Sequence, residues 1–400
     1  MPTLDQAMLA KAQSAPEDIV LQDPSGAILR GQLAVAAYAA SQKLRQATQA
    51  ERVGVCLPSI KEYAIAVYAV LLAGKTVVPI NFLLQPKELG HVVKDAGLDL
   101  IITSNHFADA LAPLGVNLIK IEDVGAELAQ ADLSAVKPAP APDANEIAVV
   151  LYTSGTTALP KGVQLSHGNI LAQGEMVAKA IDLNDFHVLS ALPLFHTFAL
   201  TVCCFLPTFT QIRASLLPRF NPSDVLEAFP KFGANTFVGV PSMHRMLARV
   251  AAKNSKRASD IGLTLAIAGG ERLPPEVYDE YQELLGLELV EGYGMTEHAP
   301  IIALNPIGKA RQGFAGQVLP GVEARVVDPQ GNELGQGQEG ELEVRSPSVM
   351  QGYLHTSEQP FHGDGWLKTG DLALLEDGGW IKITGRLKEL IISAGKNIHP

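Results

Sequence analysis

The segment YTSGTTALPKGVQLSHGN, residues 152–169, follows the apolar run IAVVL at 147–151 and gathers Gly, Ser, Thr and one Lys into a short stretch. Such an apolar run before turn-forming residues predicts a buried strand, and the Gly- and hydroxyl-rich turn behind it predicts a cradle for an anion. Thr153, Ser154, Thr156 and Thr157 can turn hydroxyls and backbone N–H groups toward phosphate oxygens, Gly155 lets the backbone come close, and Lys161 adds a positive charge. From Gly155 to Gly162 the residues nearly satisfy GxxxxGK[ST] and miss it twice. Pro160 stands at the second Gly, and Gly162 stands where the metal-binding hydroxyl belongs. Ser166 is expected to cap the next helix, which sets the helix dipole back from the phosphates, unlike a P-loop NTPase. Taken alone, the same residues also read as an ordinary surface turn.

Outward from this loop, short β-rich runs alternate with helical stretches. RVGVCLP (52–58), TVVPIN (76–81) and LDLIITS (98–104) flank the helical EYAIAVYAVLLAG (62–74) and PKELGHVVKDAG (86–97). The rhythm resumes with HVLSALP (187–193), NTFVGV (235–240), LTLAIAGG (263–270) and LELVEGYG (287–294), again separated by helices. This is the pattern of α/β layers with largely parallel sheets. Past Pro306, VEARVVDPQGNELGQGQEGELEVRS (322–346) and GGWIKITG (378–385) alternate apolar and polar residues between Gly-rich turns, which predicts a small antiparallel β-barrel. The expected fold is therefore α/β: a first α/β lobe over 1–185, a second over 186–307, a small barrel over 308–386, and a closing hinge segment over 387–400.

A chain of 400 residues with 47% apolar content suffices for two or three packed units. Its 31 basic and 42 acidic residues, net charge −11, argue against a general nucleic-acid surface, so any phosphate chemistry must be local. Cys56, Cys203 and Cys204 show no metal-ligand spacing and no disulfide framework, which suits a reducing cytoplasm, and the first residues carry no apolar export signal. Residues 63–74 are too short to span a membrane, and 188–209 are broken by Pro193, His196 and Pro207 into strand, loop and helix, so no transmembrane segment is expected.

The string TSGTTALPKG (153–162) closely resembles the phosphate loop of the adenylate-forming, AMP-binding superfamily, which includes acyl-CoA synthetases, aryl-CoA ligases, luciferases and peptide-synthetase adenylation domains. LPLFHTFAL (192–200), AGGERLP (268–274), EGYGMTEHAP (291–300), GWLKTGDLA (365–373) and ITGRLKELIISAGKNIHP (383–400) are each similar to a signature of that family, in the family's order. The resemblance implies the family's large N-terminal domain, with ATP, Mg²⁺ and coenzyme A as reactants or cofactors. It implies that Tyr293, beside Gly294, stacks on adenine, that Thr296 bonds a phosphate oxygen and that Glu297 holds the metal. It further implies that Gly270, Glu271 and Arg272 edge the adenine, and that Asp371 and Arg386 bind the ribose, Arg386 also reaching the α-phosphate. Lys388 matches the hinge about which a small C-terminal domain rotates, and His196 matches the residue that gates the acyl tunnel beside the substrate carboxylate. Without the family, Tyr293 reads equally as a half-buried aromatic, Glu297 as an exposed acid, Asp371 as a turn-former and Arg386 as a surface ion pair.

The expected activity is that of an acid–thiol ligase. A carboxylate attacks the α-phosphorus of ATP, pyrophosphate leaves, and the acyl-adenylate is then cut by the thiol of CoA. Amino-acid-activating members carry an Asp after the Phe of the LPLFH-like motif; here His196 follows Phe195, so an α-amino acid, whose buried ammonium would lack a counter-charge, is disfavoured. The apolar, Phe-containing stretch from His196 to Val240 points to a medium- or long-chain fatty acid. The alternatives are an acyl-AMP ligase that loads an acyl carrier protein, an aryl-CoA ligase, and a non-catalytic ATP- and acyl-binding module. Family members continue past the position of Pro400 for roughly another 100 residues, a common domain size. Without that domain, the chain is expected to bind ATP and adenylate but to carry out adenylation poorly.

Overall fold

The computed structural model describes residues 1–124, 133–139, 143–153, 159–357, 359–363, 365–389, 391–393 and 396–398. Two large sheets carry the chain. In the first, of seven strands, the order is Gly352–Tyr353, Lys161–Ser166, Ile147–Thr153, Thr76–Pro79, Arg52–Cys56, Leu100–Thr103 and Asn117–Lys120. The five strands from Ile147–Thr153 onward run parallel, and Lys161–Ser166 and Gly352–Tyr353 add antiparallel edges.

Parallel strands are covered on both faces, which is why runs such as LIIT at 100–103 and TFVG at 236–239 are apolar and buried at every position. The helix Lys61–Leu72, one of the segments that length alone separated from a membrane span, buries Tyr63, Val67, Val70 and Leu71 among its nine buried residues. A fully buried Val or Leu is worth about 1.5–3 kcal/mol relative to an exposed one. The second such segment divides as expected into the strand His187–Ser190, a loop, and the helical turns from Thr197 to Phe209, with a π-helical stretch at Thr201–Phe205. No helix among the described residues is long and apolar enough to cross a membrane.

The second sheet has fourteen strands. Its parallel part runs through Leu289–Gly294, Leu265–Ala268, Thr236–Gly239, His187–Ser190, Arg213–Leu216 and Ile19–Asp23. Past Leu289–Gly294 the ladder turns antiparallel through Ile301–Leu304, Gly316–Val318, Trp380–Arg386, Trp366–Glu376, Gly340–Arg345 and Glu323–Val327. The antiparallel strands expected after Pro306 are thus hydrogen-bonded without a break to the sheet of the second lobe. In that ladder the fully buried Glu343 is neutralised by Arg325, 2.6 Å away, and bonded to His362 at 3.0 Å.

Sheet membership crosses the sequence segments at two places. The hairpin Ile19–Asp23 and Gly26–Leu29, early in the chain, finishes the edge of the second sheet, and Gly352–Tyr353, late in the chain, finishes the edge of the first. An unpaired strand edge is satisfied by whichever segment packs beside it, and local pattern does not name that segment.

Candidate active site

The strand Ile147–Thr153 precedes the segment expected to bind phosphate and the strand Lys161–Ser166 follows it, with Thr153 and Lys161 paired across the ladder. Ser154, Gly155, Thr156 and Thr157 lie outside the described residues. One of the two departures from the P-loop pattern has a cause in the packing of the fold. Pro160 is buried and its carbonyl bonds His91 Nε2 at 3.0 Å. At Gly162 a Cβ would approach Val150 Cγ1 to 2.9 Å and Leu354 Cβ to 3.2 Å, so packing, not metal binding, sets this position. Ser166 caps the helix His167–Ala180 as expected, its Oγ accepting from the N–H of Asn169 at 3.1 Å.

The second contribution comes from the strand Leu289–Gly294 and the turn after it. Tyr293 donates its hydroxyl to Asp371 Oδ2 at 2.6 Å, and Arg386 Nε reaches Asp371 Oδ1 at 3.0 Å. Asp371 and Arg386 face each other in the ladder between Trp366–Glu376 and Trp380–Arg386. The Asp371 side chain is only 7% exposed, and each of its two oxygens is engaged by one of these partners. Burial, then the charge of Asp371, pushes the Tyr293 phenol up, so it remains a donor. At Gly294 a Cβ would fall 2.1 Å from the carbonyl oxygen of Pro300, which excludes any side chain where the chain turns back.

In the turn Thr296–His298, Glu297 is buried and its Oε1 accepts from the hydroxyl of Tyr353 at 2.7 Å. Its other oxygen accepts no hydrogen bond from any described residue. The Thr296 hydroxyl accepts from Thr197 Oγ1 at 3.0 Å, which joins this turn to the segment that carries His196. His196 lies open on the wall of a cavity; its apolar neighbours displace water from the ring and pull its pKa below 6.5, favouring the neutral imidazole.

That cavity is lined at one part by His196, Thr197, Gly270, Tyr293, Gly294 and Thr296, and elsewhere by Val177, Ile181, Leu183, Phe186, Val188, Val202, Leu206 and Ile212. Among the described residues its lining includes no Asp, Glu, Lys or Arg. Gly270, in the left-handed region at φ +84°, opens onto it, whereas Glu271 and Arg272 lie exposed beside it. Lys388 sits in the exposed turn Leu387–Glu389 and takes part in none of these described contacts.

Two residues to which the sequence reading assigned no role belong to this assembly. Tyr353 is one, and nothing in the string QGYL signals its partners. Glu291 is the other: its Oε1 accepts from the N–H of Leu273 at 3.0 Å and so ties the Tyr293 strand to the loop that carries Gly270. Burial raises the Glu291 carboxyl from its ordinary 4.5 to about 7, an effect reduced by the Leu273 N–H and by Arg272. A raised folded-state pKa contributes stability that is complete below about 4.5 and is lost as pH climbs through about 7. Glu291→Gln keeps the acceptor and removes the ionisation. The melting temperature of the Gln variant should therefore gain on the parent between pH 5 and 8; a difference independent of pH would contradict it.

A model of the AMP-binding enzyme family matches residues 10–354. The chain belongs to this family. Among AMP-binding enzymes of known activity, it is 30% identical to a long-chain-fatty-acid–CoA ligase of Escherichia coli O157:H7, over 88% of this chain and 70% of that protein. It is 34% identical to a feruloyl-CoA synthase of an Amycolatopsis species, over 88% of this chain and 71% of that one. The crystal structure of ATP-bound MatB from Rhodopseudomonas palustris superposes with a TM-score of 0.90 at 28% identity, over 100% of this chain and 81% of that one. The mixed α/β architecture is thus that of the AMP-binding enzymes, and the relatives are acid–CoA ligases.

Proposed function

We propose that this protein joins a medium- or long-chain fatty acid to coenzyme A through an acyl-adenylate, using ATP. The observation that carries the reading is the Thr197–Thr296 hydrogen bond, which seams an apolar cavity onto the cluster of Tyr293, Asp371, Arg386 and Glu297. In the first step a carboxylate oxygen bonds the α-phosphorus while the bond to pyrophosphate breaks. In the second the CoA sulfur bonds the acyl carbon, AMP leaves, and the thiol proton passes to solvent.

Asp371 takes the ribose hydroxyls, oriented by Tyr293 and Arg386. Lys161 neutralises the charge that gathers on the departing phosphates. Glu297 fits Mg²⁺: one oxygen is held by Tyr353, and the other accepts from no described residue. Among the described residues no group of three or more His, Cys, Asp or Glu forms an all-protein metal cage. A single carboxylate completed by substrate phosphates and water is a mode that suits Mg²⁺, which would supply charge neutralisation on the phosphates. The attacking oxygen is already anionic, so the residues position and neutralise rather than abstract a proton. Three buried free cysteines suit a cytoplasmic setting.

An aryl acid is the second reading, favoured by the similarity to a feruloyl-CoA synthase. Its ring hydroxyl would need a polar partner away from the carboxylate, where the lining offers Thr236, which already donates to Asn235 Oδ1 at 3.0 Å. A panel of octanoate, palmitate and ferulate, scored by adenylate formation and by consumption of CoA, separates these readings. Saturated monocarboxylates should exceed ferulate by about tenfold or more. Preference for ferulate would make the protein an aryl-CoA ligase, and adenylation without CoA consumption would point to an acyl carrier protein as acceptor. Absence of ATP binding altogether would overturn the ligase reading.

A further inference from the structure

Tyr353 stands where the two sheets meet the candidate nucleotide site. The short strand Gly352–Tyr353 pairs with the strand that leaves the phosphate loop, in the register Gly352 with Gln164 and Tyr353 with Val163. Backbone bonds fasten it on both sides, from the Gln351 N–H to the Gln164 carbonyl at 2.9 Å and from the Leu354 N–H to the Gly162 carbonyl at 2.7 Å. The same segment reaches the other sheet, where the Met350 N–H donates to the Glu297 carbonyl at 2.8 Å. From this fixed backbone the Tyr353 hydroxyl donates to Glu297 Oε1 at 2.7 Å, and the Lys161 ammonium lies over the Tyr353 ring, 5.2 Å from its centroid.

We propose that Tyr353 is a positioning residue that holds the Glu297 carboxylate in place for the metal and the Lys161 ammonium in place for the departing phosphates. The inference rests on the reading of Glu297 and Lys161 as parts of an ATP–Mg²⁺ site. Glu297 begins in a short turn and Lys161 at the exposed end of a strand, so each long side chain would lose rotamer freedom on meeting its ligand. The phenol and its ring restrict both beforehand, which lowers the ordering required at binding. One side chain thereby couples the first residue of the strand Lys161–Ser166 to a residue of the turn Thr296–His298.

The two contacts separate by substitution. Tyr353→Phe keeps the ring under Lys161 and removes the hydroxyl from Glu297; Tyr353→Leu removes both. Calorimetric titration of the 400-residue chain with ATP, with and without Mg²⁺, reads them apart from turnover. The parent should bind ATP more tightly with Mg²⁺, and Tyr353→Phe should lose about tenfold of that gain while its metal-free ATP affinity stays within about twofold. Tyr353→Leu should lose in addition about threefold in metal-free affinity, the worth of a cation–π contact. Glu297→Gln added to Tyr353→Phe should cost little more than Glu297→Gln alone, since both act on one contact. An unchanged Mg²⁺ gain in Tyr353→Phe, or fully additive losses in the double variant, would overturn the proposal. Failure of the parent to bind ATP in either condition would instead remove the ligase reading beneath it.

Discussion

Lys161→Ala lowers acid-dependent ATP–pyrophosphate exchange by about a hundredfold or more, the size expected when a charge aimed at a transition state is removed. The side chain is exposed and its described contact is with the face of Tyr353, so truncation removes about 0.5–1 kcal/mol of cation–π attraction and leaves the fold intact. On the proposed reading, what is lost is a positive charge beside the phosphates that leave the α-phosphorus. AMP lacks those phosphates, so its affinity should change by less than about threefold, and fatty-acid binding should not change. Lys161→Arg restores the charge without the compact ammonium and should recover part of the exchange. Comparing exchange rates with AMP and acid affinities in the same preparations is the test. An unchanged exchange rate would remove Lys161 from the chemistry, and an equal loss of AMP affinity would place it on the nucleoside instead.

Asp371→Asn raises the dissociation constants of ATP and AMP together by about tenfold to a hundredfold, as expected for loss of charge-assisted bonds to the ribose. The amide oxygen still accepts from Tyr293, so the hydroxyl keeps a partner inside the protein. Arg386, whose side chain is 65% exposed, loses its ion pair at little cost because water solvates it. Nucleotides with and without the ribose 2′-hydroxyl decide the assignment by titration. The parent should distinguish ATP from 2′-deoxy-ATP, and Asp371→Asn should lose most of that distinction. Equal discrimination in both would leave Asp371 as a structural partner of Tyr293 and Arg386. The pair of substitutions also tests the proposed division of the site, with the lysine assigned to the leaving phosphates and the aspartate to the nucleoside.

Much of this protein was legible in the chain because its decisive features are local. The strand Ile147–Thr153, the strand-to-turn passage through Tyr293 to Glu297, and the strand that carries Asp371 are each contained in one short string, and backbone preference acts over that range. The buried helix at Lys61–Leu72 and the division of 188–209 followed from length and from prolines. Register in an antiparallel ladder brought Asp371 opposite Arg386, and the turn between their strands made that pairing local too.

Contacts made over long separations were not legible. Tyr353 meets Lys161 and Glu297 because an edge strand from late in the chain docks on the first sheet, and no periodicity in QGYL names that edge. The role of Glu291 depends on a buried N–H of Leu273 that needs an acceptor, a requirement created only when loop and strand pack together. Gly162 resembles a missing metal ligand in the sequence, and in the fold it is a close-packed contact with Val150 and Leu354. The sequence by itself thus determined the family, because the strings that carry the resemblance are each short and local. The tertiary structure alone decided which of those side chains share a hydrogen bond, because partners across a sheet are selected by burial and edge pairing, not by neighbours along the chain.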